Sequence, residues 1–376
     1  MKLTTKIKLN PDSDQIQLVR STIEKSNQIC NEISKLAFEK KNFNKFSLHK
    51  EIYHQVKEQF NAGSQQVVRA IGKTCDTYKK QVAKQTKFKK YSAVPYDARM
   101  LTFAPEGKYV SLWTNEKRLH IPYLCSDEQI EHLRAQKGES DLSYINGNFY
   151  LYCSYEIEPE ELQDHYQVLG VDLGINNIAA TSDGTIYSGK KLNSIRWRYQ
   201  ALREKLQKKH TKSSIRLLRK RKKKEANFIK DINHCISKQI VGNAKGTCSA
   251  ISLENLKNIR QTSTVRRKDR YKHNSWSFYQ LKQFIIYKAE LQGIKVIEVN
   301  PAYTSQRCFD CGTIRKTNRQ GPKYKCKCGY ENNSDVNGAL NIAVKGAAAI
   351  NLPNVVNTGS KTLFNHKPID LLSMGS

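Results

Sequence analysis

Four of the ten cysteines lie within 21 residues of one another, in the last quarter of the sequence. Their spacing is C-x₂-C followed by C-x-C, and a glycine follows the second and the fourth of them. Four thiolates complete the tetrahedral shell of a structural Zn²⁺ ion, and glycine gives the turns between ligands their backbone freedom. A disulfide pair and a redox-active C-x₂-C motif are the alternatives. We predict a zinc site formed by Cys308, Cys311, Cys326 and Cys328.

The chain is strongly basic, with 64 Lys and Arg against 34 Asp and Glu, a formal net charge of +30 over 376 residues. Such an excess repels itself unless a polyanion binds, and contacts of Lys and Arg with phosphates make nucleic acid the favoured partner. An anionic membrane surface is the alternative, but we find no basic amphipathic segment with a bulky aromatic face. A basic protein without a specific partner is the remaining interpretation.

Composition excludes several further classes of protein. Hydrophobic residues make up 38% of the chain, which is too many for a disordered protein. No stretch approaches the run of about 18 apolar residues that spans a membrane. The first residues carry charge but no apolar segment of the kind found in signal peptides. We therefore expect a cytoplasmic protein that does not bind membranes.

The hydrophobic pattern changes along the first half of the sequence. Residues 3–9 alternate polar and apolar side chains, which predicts a β-strand. A helical pattern then extends from Pro11 to about Lys90, and short alternating runs broken by glycines follow from Pro95 to about Glu158. This part of the chain is predicted to be a β-barrel or sandwich interrupted by a helical insertion.

From Val168 onward the pattern becomes an α/β alternation, typical of a sheet covered by helices. A long basic helical region is predicted over 190–224, and seven of the nine residues over 216–224 are basic. A separate helix is predicted over 227–241. The end of the chain, after about Ala349, is rich in Asn, Pro, Gly and Ser and is predicted to be flexible.

Three acidic residues stand where a predicted strand ends or a helix begins: Asp172, Glu254 and Asp335. A strand seldom ends in a carboxylate for packing reasons, because a buried charge costs several kcal/mol unless it is paired or metal-bound. Carboxylates from separate elements can bind Mg²⁺, and two ions about 3.5–4 Å apart can hydrolyse a phosphodiester. From the residues alone, Glu254 as a surface residue and Asp335 as a helix N-cap remain open.

Four stretches resemble motifs of TnpB proteins, the nucleases encoded by bacterial insertion sequences, and occur in that family's order. The first RuvC motif is similar to GVDLGIN at 170–176, and the second to LENL at 253–256. The run VNPAYTSQRCFDCG at 299–312 resembles the stretch that enters the family's zinc finger, and DVNGALNI at 335–342 resembles the third RuvC motif. Their order makes the resemblance more specific than any single motif.

The resemblance implies an RNA-guided DNA endonuclease of the bacterial cytoplasm. It implies catalysis by Asp172, Glu254 and Asp335 around Mg²⁺, with Mn²⁺ as a substitute, and a structural Zn²⁺ ion. The implied partners are a guide RNA from the transposon end and target double-stranded DNA, cut in one RuvC site beside a short adjacent motif, with no protein oligomer required.

The fold class implied is a multidomain α+β protein, with a wedge-like β-barrel, a helical recognition insertion and an RNase H-like α/β RuvC domain that contains the zinc finger. The expected domains are the barrel (1–10 and 92–160), the recognition domain (11–91), the RuvC domain (165–300 and 331–349), the zinc finger (301–330) and a flexible tail (350–376).

Two sets of side chains are candidate nucleic-acid contacts. The first set lies on a helix that matches the family's recognition region, where it would contact the target-adjacent motif: Gln65, Gln66 and Arg69. The second set belongs to the basic run and would contact RNA phosphates rather than bases: Arg219, Arg221 and Lys223. Ordinary solvated helix surfaces are the alternative for both sets.

Three other functions remain open beside the transposon nuclease. One is a compact type V CRISPR effector, a relative with the same mechanism. Another is an RNA-guided repressor that binds DNA without cutting it, and the third is a RuvC-type nuclease without a guide. Acidic residues at all three motif positions favour an active nuclease.

Overall fold

The fold was obtained as a computed structural model, which describes residues 1–79, 83–165, 167–255 and 278–350. The chain divides into two compact units, of which the first is Met1–Glu158 and the second begins at Pro159. The tail predicted to be flexible lies outside the described residues from position 351 onward. Among the helices that are described, none has the length and apolar character needed to cross a membrane.

The first unit is built on a seven-stranded antiparallel sheet. Its strands are β1 (Lys2–Leu9), β2 (Val94–Tyr96), β3 (Leu101–Ala104), β4 (Tyr109–Trp113), β5 (Arg118–Leu124), β6 (Gln136–Ile145) and β7 (Asn148–Glu156). They lie in the order β2-β6-β7-β1-β5-β4-β3. The strand predicted from the alternation at 3–9 is confirmed as β1, near the middle of the sheet.

Alternation of buried and exposed side chains lets this sheet curl around one apolar core. Along β7, for example, Phe149 and Leu151 are buried between more exposed neighbours. The hydroxyl of Tyr96 in β2 donates a hydrogen bond to the carbonyl of Trp113 in β4, 3.1 Å away, so the two ends of the sheet approach each other. Among the described residues β2 and β3 do not pair, however, so the sheet is a curled half-barrel rather than the predicted β-barrel or sandwich.

Three helices are inserted between β1 and β2: α1 (Ser13–Glu39), α2 (Lys45–Gln59) and α3 (Ser64–Tyr78). A fourth, α4 (Asp127–Arg134), precedes β6. Asp12 caps α1, because its carboxylate accepts from the backbone N–H of Gln15 at 2.8 Å while the Gln15 side chain accepts from that of Asp12. Helices α1 to α3 share an apolar core of their own, which confirms the predicted helical insertion.

The predicted helical pattern to about Lys90 is wrong from residue 83 onward, since residues 83–93 contain neither helix nor strand. Side chains of α1 bind the backbone of this segment instead. Asn31 donates to the carbonyl of residue 88 at 3.1 Å and accepts from its N–H at 2.7 Å, and Ser34 donates to the carbonyl of residue 86 at 2.6 Å. These bonds satisfy backbone groups that a helix would otherwise pair internally.

The second unit contains a five-stranded sheet, which confirms the predicted α/β pattern. Its strands are β8 (Gln167–Asp172), β9 (Asn177–Thr181), β10 (Ile186–Ser188), β11 (Ser249–Glu254) and β12 (Val296–Val299). They lie in the order β10-β9-β8-β11-β12. Strands β8, β11 and β12 are parallel, whereas β9 runs antiparallel to both β8 and β10. The strand order therefore reverses at β8.

Four described helices accompany this sheet: α5 (Lys190–Gln207), α6 (Lys212–Gly246), α7 (Phe278–Leu291) and α8 (Ser334–Ala349). The predictions of one basic helix over 190–224 and another over 227–241 are wrong about the boundary. The helical conformation is interrupted at His210, which has a positive φ of 48°. Helix α6 then begins, and Thr211 caps it by accepting a hydrogen bond from the N–H of Ser214 at 3.2 Å. Helix α6 then continues without interruption through the second predicted segment.

The two faces of the sheet are covered by different helices. Along β8, Leu169 and Val171 belong to the core formed with α6 and α7, whereas Val168 packs with residues of α8. Strand β11 alternates in the same way, and the Ser252 hydroxyl donates to the carbonyl of Ile342 in α8 at 3.0 Å. Side chains on one face thus meet α8, and those on the other face meet α6 and α7.

Gly170 allows β8 to lie against the backbone of α8. A Cβ atom at this position would stand 2.0 Å from the Ala339 carbonyl oxygen and 2.5 Å from the Ala343 nitrogen. We expect Gly170→Ala to lower the free energy of unfolding by about 3 kcal/mol, since the obstructing atoms are backbone and cannot rotate away. Chemical denaturation measures this change.

Gly242→Ala in α6 is the matched control, because the added Cβ would meet no described atom within 4 Å beyond its chain neighbours and the backbone of its own helix. Removing a glycine from a helix interior is expected to raise stability by up to about 1 kcal/mol. Equal effects of the two substitutions would contradict the close approach of β8 and α8.

Candidate active site and metal centre

Two of the three predicted acids end neighbouring parallel strands. Asp172 is the last residue of β8 and Glu254 the last of β11, so they follow Gly170 and Ser252 on the α8 face. A Cβ atom on Gly338 of α8 would lie 2.8 Å from Oδ2 of Asp172, so this carboxylate does face α8. The carboxyl ends of parallel strands, where strand order reverses, are the usual ligand position in an open α/β sheet.

The third acid, Asp335, lies in the first turn of α8. Its N-cap is Asn333, whose side-chain oxygen accepts from the Asp335 N–H at 2.9 Å, so Asp335 is not itself the cap. Both of its carboxylate oxygens accept hydrogen bonds. Asn177 donates to Oδ2 at 2.8 Å, and Arg319 donates to Oδ1 at 2.9 Å. These two donors hold the carboxylate of Asp335 in one orientation.

The three acids lie close enough for the charges of two of them to act on Asp172. Burial raises the pKa of Asp172 well above its usual range, and the charges of Glu254 and Asp335 raise it further. Burial also raises the pKa of Glu254, against a hydrogen bond from Thr304 that lowers it. Like charges held together with little water are costly unless a cation is shared. A cation bound by all three would remove that cost.

The donor set fits Mg²⁺, a hard cation that binds carboxylate oxygens. The three carboxylates do not form a single tight cage. Within the described part of the chain, only the four clustered cysteines form a group of Cys, His, Asp or Glu whose ligand atoms all lie within 4.8 Å of one another.

The four predicted zinc ligands come together in the structure. The Sγ atoms of Cys308 and Cys328 lie 3.7 Å apart, and those of Cys311 and Cys326 lie 3.6 Å apart. Tetrahedral Zn²⁺ with Zn–S bonds of about 2.3 Å would separate its sulfurs by about 3.8 Å. Hydrogen bonding with Thr313 lowers the pKa of Cys311 to about 6, which favours its thiolate, whereas burial raises the pKa of Cys308 to about 12. The four thiols are free in the structure, and their spacing fits a shared Zn²⁺ ion better than disulfides, which require sulfurs about 2.05 Å apart.

A small antiparallel sheet supports the cysteines. It consists of β13 (Arg319–Gln320), β14 (Lys323–Lys325) and β15 (Glu331–Asn333), after a short 3₁₀ helix (Lys316–Asn318). Gly312 and Gly329 have φ angles of +74° and +94°, and their N–H groups donate to the carbonyls of Cys308 and Cys326. Glycine is thus required where the sequence pattern placed the two turns.

The candidate contacts in the first unit have different surroundings. Gln66 is only 2% exposed, and its amide donates to Ser26 at 2.8 Å and to the Asn115 side chain at 3.1 Å. The amide of Gln66 is therefore bound to other side chains within the first unit. Gln65 and Arg69 both contact one carboxylate, that of Asp97. Contact of Gln65, Gln66 and Arg69 with a target-adjacent motif stays a prediction.

The candidate contacts in the second unit all lie on α6. The side chains are exposed to solvent at each of the three positions: Arg219, Arg221 and Lys223. Exposed Lys and Arg on one helix can approach a phosphate backbone without a change of fold. What these three side chains bind stays a prediction.

Sequence reasoning missed three residues that touch the acids. Asn177 directly follows the 170–176 motif, and Thr304 lies inside the 299–312 run, so both had a sequence signal. Arg319 had none, because only the folding of the zinc finger brings it to Asp335.

Two known families match separate parts of the chain. Residues 152–260 match the family OrfB_IS605, described as a probable transposase. Residues 278–342 match the Cas12f1-like TNB domain. The first match includes Asp172 and Glu254, and the second includes the four clustered cysteines and Asp335.

Curated proteins with related names are similar to about half of the chain. This chain is 37% identical over 216 residues to the CRISPR-associated endodeoxyribonuclease Cas12f1 of Sulfoacidibacillus thermotolerans, and the aligned region covers 52% of this chain and 50% of that protein. This chain is 29% identical over 242 residues to the putative RNA-guided DNA endonuclease InsQ of Escherichia coli (strain K12), and the aligned region covers 55% of this chain and 57% of that protein. This chain is 33% identical over 174 residues to the TnpB-like protein MJ0751 of Methanocaldococcus jannaschii, and the aligned region covers 45% of this chain and 61% of that protein. The chain thus spans about half the length of the curated relatives it matches.

A solved structure shares the fold. The cryo-EM structure of the Cas12f1-sgRNA-target DNA complex contains a chain that superposes with a TM-score of 0.58 at 14% identity, covering 91% of this chain and 98% of that one. The predicted multidomain α+β class is confirmed at this level. The family matches and the named relatives together confirm that this chain is related to the TnpB proteins of insertion sequences, with Cas12f proteins among its relatives.

Proposed function

We propose that this protein is an RNA-guided DNA endonuclease associated with a transposon, which hydrolyses phosphodiester bonds at Asp172, Glu254 and Asp335. One observation carries the proposal: three carboxylates from β8, β11 and α8 meet at one edge of the sheet. In a protein with a net charge of +30, such a group of acids would repel a nucleic-acid backbone unless cations lie between them. The names of the relatives support the same activity.

The sheet of the second unit supports the assignment of an RNase H-like RuvC domain. Two antiparallel connections join β8, β9 and β10, and the chain then returns to β11 and β12, parallel to β8. We assign the RuvC domain to 165–300 and 331–349 and the zinc finger to 301–330, as an insertion between β12 and α8. The wedge-like domain would then comprise 1–10 and 92–160, with the recognition domain at 11–91.

In this proposal Asp172, Glu254 and Asp335 hold two Mg²⁺ ions, for which Mn²⁺ can substitute. Such ions, when bound, activate water for attack on phosphorus and stabilise the leaving oxygen. The protein's own contribution is to hold the carboxylates in a fixed orientation. Asn177 and Arg319 hold Asp335, and the close packing of Gly338 against Asp172 limits the movement of that side chain.

The basic surface supports guide RNA and target DNA as partners. Base pairing with the guide would supply sequence specificity, and Lys and Arg would hold the phosphate backbones. The zinc finger would contribute structure rather than chemistry, because four thiolates leave no open coordination position.

A cleavage assay with the protein and its co-purified RNA tests this function. The RNA is sequenced, and plasmids with and without the matching target are incubated with the complex in Mg²⁺ or in EDTA. We expect linear DNA only with the matching target and Mg²⁺. Cutting without RNA would support a nuclease without a guide, and binding without cutting would support a repressor; either result would overturn the proposal.

A compact type V CRISPR effector is the second candidate, favoured by the 37% identity to a Cas12f1 protein. Its chemistry would be the same, so the genomic neighbourhood decides between them. A flanking repeat array would favour the CRISPR effector, and a transposon end that encodes the co-purified RNA would favour the insertion-sequence nuclease.

The basic run in α6, residues 216–224, gives a prediction for RNA binding. Replacing Arg219, Arg221 and Lys223 by glutamine should weaken RNA binding with little regard to sequence, because phosphate contacts carry no sequence information. The slope of log affinity against log salt should become shallower by about 0.7–0.9 for each phosphate that the protein no longer neutralises. Filter binding over a range of salt concentrations measures both effects.

A second triple variant serves as a control. It replaces three other exposed lysines by glutamine: Lys230, Lys238 and Lys295. We expect a smaller change in affinity and in salt slope from these substitutions. Equal effects of the two triple variants would show that binding depends on total charge, and would contradict a specific role for this basic run of α6.

A further inference from the structure

We propose that Thr304 is a positioning residue for the Glu254 carboxylate, and that the segment 300–309 couples the zinc finger to the metal-binding acids. This inference rests on the nuclease function proposed above and goes beyond it, by adding a residue that is neither an acid nor a zinc ligand.

The contact between Thr304 and Glu254 is short and largely buried. Thr304 is 4% exposed, and its Oγ1 lies 2.5 Å from Oε1 of Glu254 and 2.9 Å from the carbonyl oxygen of Pro301. The hydroxyl has one proton to donate, and the carboxylate is both nearer and charged, so it receives the stronger hydrogen bond. Glutamate has three rotatable side-chain bonds. A fixed donor on one oxygen therefore restricts where the carboxylate can hold a cation.

Three side chains on one face of α8 hold the segment that carries Thr304. They are spaced four residues apart: Asn337, Asn341 and Lys345. They donate to backbone carbonyls of the segment 300–309 over distances of 2.6–3.1 Å. Asn337 and Asn341 are at most 1% exposed, so a shift of the segment away from α8 would leave their buried amides unpaired. The position of Thr304 is thus set by α8 and not by the local sequence alone.

The same segment leads into the zinc site. Cys308 follows Thr304 by four residues, and the N–H of Phe309 donates to the Asn337 side chain at 3.2 Å. Helix α8 therefore carries Asp335 and also holds the segment that orients Glu254 and supplies the first zinc ligand. The hydrogen bonds from α8 to this segment therefore hold both the first zinc ligand and the residue that orients Glu254.

The test compares Thr304→Val, which removes the hydroxyl at nearly constant volume, with Thr304→Ser, which retains it. The readout is Mn²⁺ affinity of the full-length protein–RNA complex without DNA, with the signal of the Asp172→Ala complex subtracted to remove Mn²⁺ bound by RNA. We expect the valine variant to lose affinity by about tenfold or more, the usual size of such effects, and serine to restore it. The Mg²⁺ concentration for half-maximal cleavage should rise in parallel, while zinc content and DNA binding stay unchanged.

Thr74→Val is the matched control, since Thr74 is also buried and its hydroxyl donates to the carbonyl of Ala70 within α3, at 2.9 Å. Its Mn²⁺ affinity should equal that of the unaltered protein. Wild-type affinity in Thr304→Val, or equal losses in the valine and serine variants, would overturn the positioning role while leaving the nuclease function intact. An Asp172→Ala complex that still cuts DNA would overturn the proposed function, and this inference with it.

Discussion

Replacing Asp172 by alanine is expected to abolish DNA cleavage while RNA-guided DNA binding survives. Asp172 ends β8 in contact with α8, and its carboxylate interacts with those of Glu254 and Asp335, so the substitution removes a ligand shared by the proposed ions. Metal-assisted hydrolysis supplies several kcal/mol of transition-state stabilisation, which corresponds to a fall in rate of about a thousandfold or more. Plasmid cleavage in Mg²⁺ and filter binding of the target measure the two properties separately.

The exposed Asp164, which lies shortly before β8, offers a control with the same change of charge. Asp164→Ala should cut at the normal rate. Near-normal cleavage by the Asp172→Ala variant would refute the active-site assignment, and failure of that variant to bind DNA would show that Asp172 supports the fold rather than the chemistry.

Replacing Cys308 by serine is expected to unfold the zinc finger and destabilise the protein. Cys308 is fully buried, and its Sγ lies 3.7 Å from that of Cys328. Binding of Zn²⁺ to four thiolates can contribute on the order of 10 kcal/mol of folding free energy, which is comparable with the whole stability of a domain. We expect less than one zinc per chain by elemental analysis and a large fall in the midpoint of thermal unfolding.

Cys248→Ser is the matched control, because Cys248 is an exposed free thiol outside the cluster. That variant should keep its zinc and its stability. A soluble Cys308→Ser protein that cuts DNA at the normal rate without zinc would refute a structural role for the metal.

Local patterns predicted much of this protein, because spacing and alternation act between neighbouring residues. The strand at the start of the chain, the helical insertion and the α/β pattern after Val168 all appear in the structure. The C-x₂-C and C-x-C pairs predicted a cluster of four thiols, which the fold forms. Strand ends and a helix start were enough to select Asp172, Glu254 and Asp335 as candidate ligands.

Element boundaries depended on contacts that no local pattern contains. The helical pattern to about Lys90 was wrong because Asn31 and Ser34 of α1 bind the backbone of the later segment. The boundary in the basic region was misplaced because the break at His210 comes earlier than the composition suggested. The half-barrel stays open for a related reason: pairing of edge strands is decided by the curvature of the whole sheet.

The sequence by itself therefore determined which residues could bind metal, since carboxylates, thiols and their spacing are properties of the chain. Only the tertiary structure decided how those residues are held. Asn177 reaches Asp335 across 158 residues, and Thr304 reaches Glu254 across 50. Arg319 meets Asp335 only once the finger has folded. Hydrogen bonds of a few ångströms between distant segments require packing of β8, β11 and α8, and that packing is set by the fold as a whole.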